Sequence, residues 1–167
     1  MKLSLPLLPE WFGSIIINKK RGKKMIIIGS DHAAYPLKEK VKAYLIETAK
    51  IEVKDAGTHS EASVDYPDFG MAVAKAVSEG KFKQGILLCG TGLGMSMVAN
   101  RFDHVRAALC NDVFSAKMSR LHNDANILVM GGRVIGDVLA IEIVRTWLQT
   151  PFESGRHQAR LDKFDII

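Results

Sequence analysis

Cys89 ends the apolar run Gly85-Ile86-Leu87-Leu88 and opens the loop Gly90-Thr91-Gly92-Leu93-Gly94. A strand that feeds a glycine-rich loop and then a helix aims several backbone N–H groups at one spot. Such a spot holds an anion or a developing oxyanion. A thiol there, set against a helix N-terminus, should have a lowered pKa and serve as base or nucleophile. A lone buried cysteine is more often inert, and loop glycines often serve only a tight turn, so the case depends on what gathers around it. Cys110 ends another apolar run with no glycine loop and takes the inert role.

Other ionisable residues cluster in the same kind of place. Asp31-His32 directly follows a β-branched run, where two ionisable groups are poorly explained by packing. His59, beside Ser60 and Glu61, is expected to face solvent. His122 lies in the polar turn Arg120-Leu121-His122-Asn123-Asp124-Ala125-Asn126, which by itself suits a cap or a surface residue equally well. Arg133 follows a Gly131-Gly132 turn, from which a guanidinium can reach a phosphate with two hydrogen bonds. Arg156 and Arg160 are four apart, so a helix would put them on one face, as would befit a solvated C-terminal helix or an anion site. The Gly90-x-Gly92-x-Gly94 spacing is only loosely that of a dinucleotide fingerprint, and no acidic residue follows a second strand at the required distance.

From Met25 onward, short β-branched runs alternate with helical patterns. The strands are expected at 25–29, 51–54, 85–89, 105–110 and 126–130, and helices at 37–49, 67–79, 93–101, 113–121 and 137–149. This alternation predicts an α/β fold with a parallel sheet covered on both faces by helices. The first, third and fifth strands are nearly all apolar, as strands buried on both faces should be. Pro36 suits a helix start and Pro151 a helix stop. In such a sheet, ligands collect at the carboxyl ends of the strands. Those ends carry Asp31-His32, Gly57-Thr58-His59, Cys89-Gly90-Thr91-Gly92, Cys110-Asn111-Asp112 and Gly131-Gly132-Arg133.

The chain has 167 residues, 47% hydrophobic and 25% charged, consistent with one globular domain. Its net charge of +5 is local, because Lys19, Lys20, Arg21, Lys23 and Lys24 precede the first strand and the remainder is close to neutral. A nucleic-acid partner is therefore not favoured. No run approaches the length of a membrane span, and the basic cluster follows the leading apolar residues, the reverse of a signal peptide. Two cysteines without a pairing framework fit free thiols in a reducing, cytoplasmic setting. Residues 1–24 read as an extension. Either Met25 is the natural start, preceded by codons resembling a ribosome-binding site, or the segment is a basic arm. Intact mass from the native host decides between them.

Taken together, the motifs Gly29-Ser30-Asp31-His32, Asp65-Tyr66-Pro67, Cys89 to Gly94, Arg120 to Asn126, Gly131-Gly132-Arg133 and Gly155-Arg156-His157-Gln158-Ala159-Arg160 resemble those of the type B ribose-5-phosphate isomerases. Allose- and galactose-6-phosphate isomerases are close relatives of that family. The resemblance covers the chain from Met25 to the end. It implies a Rossmann-like three-layer α/β/α sandwich with a five-stranded parallel sheet, spanning 25–151, and a C-terminal helical segment, 152–167, that contacts a partner subunit. It also implies a homodimer or homotetramer with shared active sites, no metal, no organic cofactor, and a phosphorylated sugar of the pentose phosphate pathway as substrate. By motif, Cys89 would move the proton between C1 and C2, His122 would open the sugar ring, and Thr91 belongs to the catalytic set. Asp31, Tyr66, Gly90, Gly92, Gly94 and Asn123 would meet the sugar. His32, Arg133, Arg156 and Arg160 would hold the phosphate, the last two coming from the partner. A six-carbon sugar phosphate, or a module that binds phosphate without turnover, remain the alternatives.

Overall fold

A computed structural model describes residues 24–165, so the leader, apart from Lys24, lies outside the described residues. Five parallel strands form one sheet in the order β2-β1-β3-β5-β4. They are β1 (Met25–Ser30), β2 (Glu52–Asp55), β3 (Gly85–Cys89), β4 (Ala107–Leu109) and β5 (Ile127–Gly131). The all-parallel α/β architecture expected from the alternating pattern is present, and β5 is seated between β3 and β4. Strands β3 and β5 are buried along their whole length, which is why they read as unbroken apolar runs.

Alternation along each strand divides the core in two. Ile26, Ile28, Ile86, Leu88, Leu128 and Met130 face the layer made by α1 (Tyr35–Ala43), α4 (Val113–Leu121) and α5 (Asp137–Gln149), with Trp147 fully buried there. Ile27, Leu87, Cys89, Ile127 and Val129 face α2 (Tyr66–Ser78) and α3 (Leu93–Ala99).

Four local departures from the expected elements stand out. A single 3-10 turn, His32–Ala34, precedes α1 because the Asp31 carboxylate caps it by accepting the Ala34 N–H. The first helix then ends in a π turn over Tyr44–Thr48 instead of running straight to 49. The fourth strand shrinks to three residues at the sheet edge, where the Asn100 side chain donates to the Ala107 C=O and accepts the Ala107 N–H. Within the C-terminal segment only Gln158–Leu161 (α6) is helical, so Arg156 precedes the helix that holds Arg160 and the two do not share one helix face.

Candidate active site

Strands β2 and β3 flank β1, so the connection after β1 and the crossover to β3 leave on opposite sides. The crevice between the carboxyl ends of β1 and β3 is thus the natural ligand position. It is lined by Asp31 and His32 from one strand and by Cys89 with its loop from the other.

Cys89 is almost fully buried, and its Sγ accepts the Gly92 N–H at 3.1 Å. This amide stands at the start of α3, so the loop and the helix together fix the position of the sulfur. Gly92 has φ +81°, and a Cβ there would lie 2.4 Å from Leu109 Cδ1, so only glycine permits this turn. Gly94 lets the Tyr66 ring close over the beginning of α3, with Cε2 2.6 Å from where a Cβ would sit. The Thr91 hydroxyl accepts the Leu93 N–H at 3.3 Å.

The loop after β5 docks on this one. Gly132 N–H donates to Cys89 C=O at 2.8 Å and Arg133 N–H to Gly90 C=O at 2.9 Å. Gly131 and Gly132 have no room for a side chain against Thr91 and Ala34, which is what brings the two loops together. The Arg133 side chain then passes over Gly90, with Nη1 3.9 Å from a Cβ built there. His32 is held from the other side, its Nδ1 lying 3.2 Å from both the N–H and the C=O of Val64. One rim therefore combines a thiol, backbone donors, a carboxylate, an imidazole and a guanidinium. Proton transfer beside a bound anion is what such a set can do.

Not every expected residue is there. Helix α4 runs back from the carboxyl end of β4, so His122 and Asn123 fall at the opposite rim, next to the start of β5. The register runs from Gly85↔Ile127 to Cys89↔Gly131, four steps of about 3.3 Å, so the rims are about 13 Å apart along the strands alone. The C-terminal segment joins this second rim through Glu153 N–H to Leu121 C=O at 3.0 Å. His122 stacks on His157 with ring centroids 4.2 Å apart and planes 8° from parallel. Glu153 Oε2 lies 3.4 Å from His157 Nε2 and 3.9 Å from His122 Nε2. Arg156 Nε donates to His157 Nε2 at 3.4 Å, while Arg160 is exposed on α6. Burial lowers the His157 pKa, and the neighbouring His122 lowers it further, so His157 is neutral at pH 7.

His122, Glu153 and His157 bring three metal-ligating atoms within 4.8 Å of one another. Parallel stacked imidazoles cannot both aim in-plane lone pairs at one ion, and Arg156 already donates to one of them. His59 is exposed, as expected. Cys110 is also as expected, because burial pushes its pKa up to about 11. Glu153 and the His122–His157 stack were not foreseen. The proximity of Glu153 to the His122 turn depends on where the chain returns after α5, and sequence spacing carries no sign of it.

The family model described as Ribose/Galactose Isomerase matches residues 26–164. Ribose-5-phosphate isomerase B of Escherichia coli is 45% identical over 144 residues, covering 86% of this chain and 96% of that protein. The D-erythrulose-4-phosphate isomerase of Pectobacterium atrosepticum is 40% identical over 138 residues, 83% of this chain and 91% of that one. The crystal structure of a ribose 5-phosphate isomerase from Thermotoga maritima superposes with a TM-score of 0.83 at 54% identity, covering 86% of this chain and 99% of that one.

Proposed function

Because the chain belongs to the ribose/galactose isomerase family, we propose that it interconverts ribose 5-phosphate and ribulose 5-phosphate through an enediolate, with Cys89 as the base. The observation that carries this is the Cys89 sulfur held by the Gly92 N–H in the crevice between β1 and β3, with Arg133 alongside. The thiolate takes the proton from C2 of the open-chain aldose. Electrons move onto the carbonyl oxygen at C1, where the loop N–H groups stabilise the charge. The proton on sulfur exchanges with solvent and is then delivered to C1, while the C2 hydroxyl proton passes to the C1 oxygen and C2 becomes the ketone. One well-placed amide donor on such an oxyanion contributes about 2.7–4 kcal/mol, so the loop should matter more than a modest change in thiol acidity. Asp31, Tyr66 and the loop from Gly90 to Gly94, with Thr91, hold the sugar. His32 and Arg133 hold the phosphate and position the chain for the transfer.

Ring opening needs His122, which sits at the other rim of its own protomer, so the active assembly is at least a homodimer. His122, Asn123, Arg156 and Arg160 of one copy complete the site built on Cys89 of another. Exposed apolar residues around the Cys89 rim support a second copy as the occupant: Leu93 is 52% exposed, Phe114 72%, Val134 53% and Val138 76%. Among the described residues no helix is long and apolar enough to cross a membrane. The two free cysteines fit a reducing cytoplasm.

NMR of ribose 5-phosphate incubated with the protein in D₂O, beside Cys89→Ala, tests the reading. Ribulose 5-phosphate carrying deuterium at C1, lost in the variant, is the expected result. Binding without turnover would point instead to a non-catalytic module. The 40% identity to a D-erythrulose-4-phosphate isomerase favours a four-carbon sugar phosphate as the second substrate to assay, with allose and galactose 6-phosphates alongside.

A further inference from the structure

Lys38 has no exposed surface, and its Nζ meets both carboxylate oxygens of Asp55 at 2.7 Å. Lys42 adds a third 2.7 Å contact to the same carboxylate. Asp55 closes β2, and its Oδ1 also accepts the Gly57 N–H at 2.9 Å. From there the grip passes to the site. Gly57 C=O accepts the Ser30 N–H at 2.7 Å, and Thr58 N–H donates to Ser30 C=O at 2.8 Å. Ser30 immediately precedes Asp31, whose carboxylate caps the turn that begins with His32. Gly57 itself has φ +98°, and a Cβ there would stand 2.8 Å from the Phe69 ring, so the connection tolerates no side chain.

The segment that starts at Gly57 has no regular structure until Tyr66 opens α2. Its far end is fastened to His32 through Val64, and Tyr66 then lies against Gly94 beside the Cys89 loop. An irregular nine-residue stretch, 57–65, is thus anchored at one end by Asp55 and at the other by a substrate-binding histidine. A buried ion pair adds little net stability compared with a well-packed apolar pair, so its presence under this loop calls for another role.

We propose that Lys38 and Asp55 are positioning residues: they fix the 57–65 segment and through it set Asp31, His32 and Tyr66 to bind the phosphorylated sugar. The inference rests on the isomerase reading above for the identity of that ligand. Neither residue touches substrate; both act through the loop.

The test uses Asp55→Asn, Lys38→Met and Lys38→Arg in the full chain, with two readouts. Amide exchange by NMR compares Gly57, Thr58 and Val64 with Leu87 and Val129 in the central strands. Steady-state kinetics give KM and kcat for ribose 5-phosphate. Asp55→Asn and Lys38→Met should speed exchange at the three loop amides about tenfold while the central strands stay protected. KM should rise about tenfold with kcat within about threefold of the parent. Lys38→Arg, which can still engage both carboxylate oxygens, should stay near the parent in both readouts. Should a single variant fail to fold, Lys38→Met/Asp55→Asn, which removes both charges of the pair and leaves Lys42 on Glu39 at 2.7 Å, carries the same comparison. Unchanged loop exchange with unchanged KM in a folded variant overturns the proposal. So does equal acceleration across the whole sheet, which would mark the pair as merely structural. If the parent protein turns over no sugar phosphate, the isomerase reading fails, and the exchange contrast alone decides whether the loop depends on this pair.

Discussion

If the Cys89 rim of one protomer works with the His122 rim of another, two dead variants should rescue each other. Cys89→Ala lacks the base and His122→Asn lacks the ring-opening group. In one protomer these side chains lie at opposite ends of the sheet, about 13 Å apart along the strands before α4's turn is added. No rotamer change closes that gap. In a two-fold dimer of one variant with the other, one site carries both defects and the other carries neither. Random mixing makes about half of the dimers mixed, each with one intact site of two, so about a quarter of parental activity should return. The two variants would be unfolded together in denaturant, refolded by dilution, and assayed for ribose 5-phosphate turnover at saturating substrate. Each alone should give a background rate. A mixture that stays at background, while mass spectrometry detects the mixed dimer, would refute the shared site and return ring opening to a group on the Cys89 rim.

Four further outcomes are expected. Gly92→Ala, with φ +81° and a Cβ 2.4 Å from Leu109, should lose about 2 kcal/mol or more in chemical denaturation and cut kcat, because the amide facing Cys89 moves. Trp147→Ala empties a fully buried position under α5 and should cost about 3–5 kcal/mol by the same measurement. Alkylation with iodoacetamide at pH 8 should inactivate through Cys89 alone, since burial holds Cys110 up at about 11; a second adduct in folded protein would contradict this. The lysines and the Gly57 N–H hold the Asp55 pKa at about 2, below its usual 3.8, so its contribution is complete well above pH 4 and is lost as pH falls toward 2. That shift corresponds to about 2 kcal/mol, reduced to about 1 by solvent around the pair, and Asp55→Asn should flatten the acid limb of the stability profile by that amount.

The parallel sheet was legible because Ile26-Ile27-Ile28, Ile86-Leu87-Leu88 and Ile127 to Met130 are strands buried on both faces, which leaves them no polar positions to confuse the pattern. The Cys89 rim was legible for a similar reason. Parallel strands alternating with helices put every strand's carboxyl end on one side, so Asp31, Cys89 and Arg133 had to be neighbours. The same reasoning puts His122 on the far side, because a helix must carry the chain back before the next strand. The position of β5 between β3 and β4 depends on which way one crossover turns, and side-chain pattern does not record it. Lys38 was hidden among core positions: Ala34, Leu37, Val41 and Leu45 mark the buried stripe of its helix, and a lysine on that stripe reads as an exposed residue at its border until Asp55 is seen beneath it.

Asn100 has a consequence for the protein in a crowded solution. Its amide occupies both the N–H and the C=O of Ala107, leaving the shortest strand of the sheet, at its outer border, with that pairing site already filled by the chain itself. An open strand border is a template on which another chain can add a strand, and a sheet that grows this way ends as aggregate. A single side chain here takes the place of that incoming backbone. Association between copies is thereby steered away from strand-to-strand growth and toward side-chain surfaces, which can close into a finite assembly.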